Sequence, residues 1–322
     1  MRIRTLGWMA AAGALWGTFP EQAARGQLIT PVLGDAQSFA VLAGSTVTNT
    51  GDPATVITGD VGVWAGTAIT GFAAVDGGPG IVNGTIYEGG AVPQAAQSSL
   101  TTAMNALNSV APTGDLTGIN LGTYNAGNAL APGVYSFPAT SAQLTGDLVL
   151  DAGGVNGVVW VFQIGSALTT APNATASIVN LGSNLGQDVG IFWVVGSSAT
   201  LDDNTSFIGN ILALESISMN AGATICGAGC GRALAQTGAV TLISNTICNV
   251  CAHDGDDNPF HGFSGGLVFN EDGELIPIPL ENGNGNGPGP GPGVIPEPST
   301  LMLVGLSVAG LVASRRRKDR ES

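Results

Sequence analysis

From about residue 27 to residue 280, short apolar runs alternate with polar runs rich in serine and threonine. The apolar runs are GVYSF (133–137), GVVWVFQI (157–164), VGIFWVV (189–195) and FIGNILAL (207–214). Each is followed by a Ser-rich segment: SAQLTGDLVL (141–150), SALTT (166–170), SATLDD (198–203) and SISMN (216–220). GRALAQT (231–237) and GAVTLISNTI (238–247) continue the series. Runs this short, bounded by Gly, Asn and Asp, predict strands. The steps from Ser141 to Ser166, Ser198 and Ser216 are 25, 32 and 18 residues, too irregular for propeller blades. A solenoid tolerates such insertions at its corners, with small alternate residues turned inward. One segment differs. PQAAQSSLTTAMNALNS (93–109) puts Ala96, Leu100, Met104 and Leu107 on one face at helical spacing, with Pro93 in the first turn. This helix is expected to lie along the solenoid and cover an apolar side, with Met104 in the core.

A family resemblance rests on ordered segments: FAVLAGSTVTNTG (39–51), ITGDVGVWAGTAITGF (57–72), the helix, LAPGVYSF (130–137), QLTGDLVLDA (143–152), GSALTTA (165–171), FIGNILAL (207–214) and GRALAQTGAVTLISNTI (231–247). Together, over about 34–250, they resemble the ice-binding β-solenoid family of bacteria and microbial eukaryotes. The resemblance implies an all-β-dominated fold. Its form would be a right-handed, three-faced, discontinuous β-helix over 27–250, with one long α-helix packed alongside. It also implies an ice crystal surface as partner. The chain departs from the family in CGAGC (226–230) and in the tail CNVCAHDGDDNPFHGF (248–263).

Charge narrows the function further. The 322 residues carry a formal charge of −14, yet the basic residues crowd the ends. Arg2, Arg4 and Arg25 open the chain, and Arg315, Arg316, Arg317, Lys318 and Arg320 close it. Residues 27–293 hold 19 acidic side chains and one basic one, Arg232. Such a surface cannot neutralise phosphates, which excludes nucleic acid as a partner and argues against phosphoryl transfer. His253 and His261 lie outside the repeats, and no nucleophile elbow or metal-type His cluster occurs. The expectation is a protein that is not an enzyme and has no cofactor.

The two ends read as addresses. Residues 1–26 have the form of a signal peptide: Arg2 and Arg4, an apolar stretch Leu6–Phe19, then Ala24-Arg25-Gly26 as the cleavage site. At the other end a Gly/Pro/Asn linker (281–295) leads to Pro296-Glu297-Pro298, an apolar stretch Leu301–Ala313 and the cluster Arg315–Lys318. Residues 296–322 resemble the PEP-CTERM sorting signal, which exosortases recognise in Gram-negative bacteria. That resemblance implies export and delivery to the cell surface or beyond. The C-terminal segment would anchor transiently in the inner membrane, its arginines held in the cytoplasm. A structural or adhesive matrix protein on the same fold, with exopolysaccharide as partner, is the alternative function.

Candidate sites follow from aligning the repeats. Thr200, Ser218 and Thr241 fall in one ladder, and Thr175, Thr205, Thr224 and Thr246 in a second. Threonine's stiff χ1 fixes hydroxyl and methyl together, and strand stacking repeats them every 4.7–4.9 Å or so. Two such rows on adjacent strands would form a flat array facing ice, interrupted at its edge by Asp202 and Asp203. In the same alignment Cys226 and Cys248 stack one strand spacing apart, within disulfide range, leaving Cys230 for Cys251. Local pairs and a four-thiolate zinc site remain alternatives. Asp254, Asp256 and Asp257 offer hard oxygen ligands for calcium but lack the rest of an EF-hand loop, and a solvated acidic turn is the favoured reading. Within the 251–280 extension, LVFNEDGELIPI (267–278) reads as a hairpin turning at Asp272-Gly273, expected to cap the last coil or meet the linker.

Overall fold

The computed structural model describes residues 30–278 apart from 128, 227–228 and 252–261. Both terminal addresses, Asp254, Asp256 and Asp257, and the Pro296-Glu297-Pro298 motif lie outside the described residues. What is described is mostly β, with one long helix.

Parallel strands stack in successive coils. The largest sheet has nine, in the order Ile86–Glu88, Asp60–Val63, Phe39–Ala43, Gly231–Ala235, Gly209–Ala213, Gly190–Val195, Val159–Ile164, Gly133–Phe137, Gly114–Asp115. A second has seven: Ala142–Leu144, Leu168–Thr170, Ala199–Leu201, Ile217–Met219, Val240–Ile243, Thr46–Thr50, Ala68–Thr70. A third set joins Asp147–Asp151 and Thr175–Val179 to Thr224–Ile225, Thr246–Cys248, Val56–Thr58 and Ile81–Asn83, bridged through Ser206. The order is not sequential. Strands from residues 39–88 stack onto the last coil, so the chain begins in mid-stack.

Helix α1 (Ala91–Ser109) resolves that discontinuity. It leaves beside Ile86–Glu88 at one edge of the large sheet and delivers the chain to Gly114–Asp115 at the other. Eight gaps between nine strands span about 38 Å. Nineteen helical residues give about 28 Å and the extended residues 110–113 about 13 Å more, so the return path fits.

The large sheet is buried on both sides, which explains its near-continuous apolar runs. Inward, Tyr135, Phe162 and Trp193 stand in register and stack, with Phe162 and Trp193 centroids 3.8 Å apart. Outward, Val134, Val161, Phe192, Val194, Leu212, Leu234 and Leu42 meet Ala96, Leu100, Ala103, Met104 and Leu107 of α1. Two glutamines pin the helix. Gln97 Nε2 donates to the Ala235 carbonyl (3.0 Å), while Gln163 Nε2 donates to the carbonyls of Leu107 (2.8 Å) and Val110 (2.7 Å). The second contact satisfies a carbonyl that the helix end leaves without an intrahelical partner.

Corners repeat as well. Asn173, Asn204, Gly222 and Ser244 have φ of 60°, 54°, 74° and 52°, each two residues before a strand or bridge of the third set. This left-handed step turns the chain tightly, and Gly and Asn tolerate it best. Acidic side chains brace other turns. Asp76 Oδ2 accepts the Gly71 N–H at 2.8 Å, and its Oδ1 accepts those of Gly78 and Phe72 at 3.1 Å. Asp151 Oδ1 accepts the Gly153 N–H and Asn180 Nδ2, both at 2.8 Å.

The hairpin forms as Leu267–Phe269 and Leu275–Pro277, with Thr30–Pro31 added antiparallel to its first strand. It does not cap the last coil. Residues leading into it lie along the starts of the large sheet's strands: Ile191 N–H donates to the Phe263 carbonyl, and Gly265 N–H to that of Val189, both at 2.9 Å. Buried polar groups draw it there. Arg232, fully buried, donates to the Gln37 carbonyl (2.7 Å), Asn210 Oδ1 (2.8 Å) and the Gly262 carbonyl (3.4 Å). Asn210 Nδ2 donates to the Phe263 carbonyl at 2.8 Å. Disulfides join Cys226 to Cys248 and Cys230 to Cys251, with Cα separations of 5.1 and 5.2 Å.

Removing the guanidinium takes its donors away from buried acceptors in three chain segments. Arg232→Met should lower unfolding free energy by about 2–4 kcal/mol in a denaturant titration. A change under about 0.5 kcal/mol would show that the knot contributes nothing. A second outcome concerns pH. The Gly71 N–H, then those of Gly78 and Phe72, hold the Asp76 carboxyl below its usual range; Gly153 and Asn180 do the same for Asp151, and Thr117 for Asp115. Lowered folded-state values mean stability that is complete above the unfolded value near about 4 and lost as pH falls through the folded values. Thermal midpoints should therefore be level at neutral pH and drop below about pH 4, and D76N should flatten part of that drop.

Candidate functional site

The seven-stranded sheet leaves its outer face open. Its register places Gln143, Thr169, Thr200, Ser218, Thr241, Thr48 and Thr70 in one unbroken ladder. These side chains are exposed or half-buried, while their neighbours Leu168, Ala199, Ile217, Val240, Val47 and Ile69 point into the core. That alternation makes a half-buried strand, and stacking sets the rungs about 4.7–4.9 Å apart. None of the six hydroxyls hydrogen-bonds within the protein, among the described residues. All six are therefore left for solvent or a surface.

Flanking columns widen the open face. Thr46, Thr48 and Thr50 all point outward along one strand, two residues or about 6.6–6.8 Å apart. Thr46 pairs with Ala68 and Thr50 with Ile243. Toward the other end, Ser216 N–H donates to Ser198 Oγ and Ala239 N–H to Ser216 Oγ, both at 3.2 Å, which ties those small groups down. Asp202 borders the ladder, its Oδ1 accepting from Asn220 Nδ2 at 2.8 Å. No rung of the central ladder titrates.

The second row is different in composition and in place. Its register runs Asp147, Thr175, Ser206, Thr224, Thr246, Val56, Ile81. Thr205 is not a rung. It is fully buried, its hydroxyl 2.7 Å from that of Thr170, and Ser206 occupies the outward position. Side chains alternate sides, so a one-residue slip in alignment exchanges the two faces. The row also belongs to the third set of strands rather than the seven-stranded sheet, so the two rows do not tile one plane. Its hydroxyls are partly spent: Thr175 Oγ1 donates to Asp147 Oδ1 (2.6 Å) and Thr224 Oγ1 to the Thr246 carbonyl (3.0 Å). An acidic start and an apolar finish make it uneven.

Four rungs of the first ladder escape sequence alignment: Gln143, Thr169, Thr48 and Thr70. TVTNT (46–50) carries the signal for one of them, a polar residue at every second position. Nothing local says that this strand stacks on residues 240–243. Among the described residues no group of three His, Cys, Asp or Glu could hold a metal ion, and Arg232 is sealed in the core. Tyr135 is pushed up to about 12 by burial, with Tyr124 adding to the shift, and its hydroxyl donates to the Ala131 carbonyl at 2.8 Å. No helix among the described residues is long and apolar enough to cross a membrane.

Comparisons with known proteins converge on this fold. Residues 41–248 match the family described as Ice-binding-like, and residues 294–318 match the PEP-CTERM protein-sorting motif. An ice-binding protein of Nostoc sp. (strain HG1) is 50% identical over 220 residues, 68% of this chain and 74% of the relative. One from Flammulina populicola is 31% identical over 234 residues, covering 67% and 89%. Among solved structures, an ice-binding protein from an Antarctic biological consortium superposes with a TM-score of 0.59 at 41% identity, covering 68% of this chain and 91% of that one. Another, from the Antarctic ascomycete Antarctomyces psychrotrophicus, gives 0.59 at 35% identity over 68% and 98%. Through residues 41–248, which hold every rung of the open ladder, the chain belongs to the ice-binding-like family.

Proposed function

We propose that this is an exported ice-binding protein whose ice-facing surface is the Thr/Ser ladder of the seven-stranded sheet. The observation that carries the reading is the continuity of that ladder, with six uncommitted hydroxyls over a rigid apolar backing. An ice-facing surface must hold water in a fixed two-dimensional pattern without charges that would order it otherwise. Stacking supplies one period and residue alternation the other, while stiff threonine χ1 angles hold hydroxyl and methyl in place. The three sets of strands are taken as three faces of a right-handed solenoid. One is covered by α1, one is uneven, and one remains for ice. No catalysis enters the function. The PEP-CTERM match supports export and sorting to the cell surface, with exosortase as processing partner and the C-terminal segment as transient anchor. The cysteine pairs would then be disulfides of an oxidising compartment.

Thr241 is an interior rung of the open ladder, next to the central Ser218, and Thr246 lies on the uneven row, only five residues later. Thr241→Tyr should reduce ice recrystallisation inhibition by about tenfold or more, while Thr246→Tyr stays within about twofold. Both should keep the parent's circular dichroism, since exposed positions usually cost little stability. Equal losses, or a loss only in Thr246→Tyr, would move the ice face to the other row. An unmutated protein without activity would favour the adhesive-matrix role.

A further inference from the structure

We infer that the protein engages ice while still tethered through its C-terminal chain, as an anchored adhesin whose ladder is turned away from the point of attachment. This rests on the ladder being the ice face. In each coil the chain passes from the large sheet to the seven-stranded sheet and then to the third set, before re-entering the large sheet. The extension packs at that re-entry corner. Ser264 bridges Gly190, and at the start of the Gly190–Val195 strand the Phe263 carbonyl accepts the Ile191 N–H while the Val189 carbonyl accepts that of Gly265. Ile278, the last described residue before the linker, donates its N–H to the Gly266 carbonyl there, at 3.1 Å. Thr30 pairs with Phe269, so the N-terminal end of the described chain leaves from the same corner. The ladder lies beyond the opposite ends of those strands. A six-residue strand such as Gly190–Val195 puts about 17–20 Å between the exit point and the turn into the ladder sheet.

Charge and linker act in the same direction. Arg232 is the only basic side chain among the described residues and is fully buried, so the described surface bears carboxylates and no cation. An anionic envelope would repel such a body instead of drawing it down flat. In sequence, residues 279–293 are rich in Gly, Pro and Asn, a composition whose reach at that length is roughly 20 Å. Anchoring therefore leaves the ladder accessible.

The test uses the full chain with a biotin-acceptor peptide inserted after Gly293, loaded on streptavidin beads and presented to a growing ice surface. Beads bearing the parent protein should adhere at least about tenfold more than beads bearing the Thr241→Tyr variant. Adhesion no better than that variant, from protein that inhibits recrystallisation when free, overturns the anchored geometry alone. Inactivity in both free and tethered forms overturns the ice-face reading and this inference with it.

Discussion

Pairing between segments almost two hundred residues apart in sequence holds the architecture together. Leu42 stands against Leu234, Thr48 against Thr241 and Ile57 against Ile247, one pairing in each set of strands. Closing so long a loop costs conformational entropy, though the cost grows only logarithmically with length. Once closed, the seam is held on several sides. Asn245, buried, donates from Nδ2 to the carbonyls of Asn220 (2.8 Å) and Ala223 (2.9 Å), and its N–H reaches Thr55 Oγ1 at 3.0 Å. The Cys226–Cys248 bridge ties the coils on one side of this seam. Without the seam the open ladder would end at Thr241, and α1 would have no far edge from which to depart.

A contrast between two rows of similar composition explains why one is a better surface. Threonine suits an exposed strand whatever its task, so composition alone separates nothing. What separates them is hydrogen bonding inside the protein. On the uneven row, Thr175 and Thr224 give their protons to Asp147 and to the Thr246 carbonyl. On the seven-stranded sheet, serine oxygens one column away accept the corner N–H groups, leaving the central column unused. The same economy governs the interior, where Arg232 and Asn210 donate to the carbonyls of a segment laid along the large sheet.

Much of this was legible in the sequence, for identifiable reasons. The helix showed itself through 3.6-residue periodicity, and Ala96, Leu100, Met104 and Leu107 are all buried against the sheet. Thr200, Ser218 and Thr241 could be aligned because each follows its apolar run at a similar distance, so local spacing carries their register. Thr48 and Thr70 could not, since their neighbours are set by the long-range seam. Thr205 was misplaced because the turn at Asp202–Asn204 is one residue longer than a Thr-to-Thr alignment assumes; Ser206 is the residue that bridges Thr175 and Thr224. The hairpin at Asp272-Gly273 was readable from its turn, but its seat was not. That depends on Asn210 and Arg232, whose carbonyl partners lie far away in sequence.

The matched lengths of helix and stack limit how the molecule can grow. A solenoid enlarges its working surface by duplicating a coil, and a longer ladder would present more rungs. Here the chain must travel back along the whole stack, so each inserted coil moves the two edges about 4.8 Å further apart. At 1.5 Å per residue, α1 would need about three more residues for every coil gained. Three residues are less than a full turn, so each such insertion would rotate the rest of the helix by about 60° and swing Leu100, Met104 and Leu107 off the sheet. Only additions of several coils, matched by whole helical turns, would restore the packed face. Lineages of this fold should therefore vary in their corners and ends far more readily than in their number of coils.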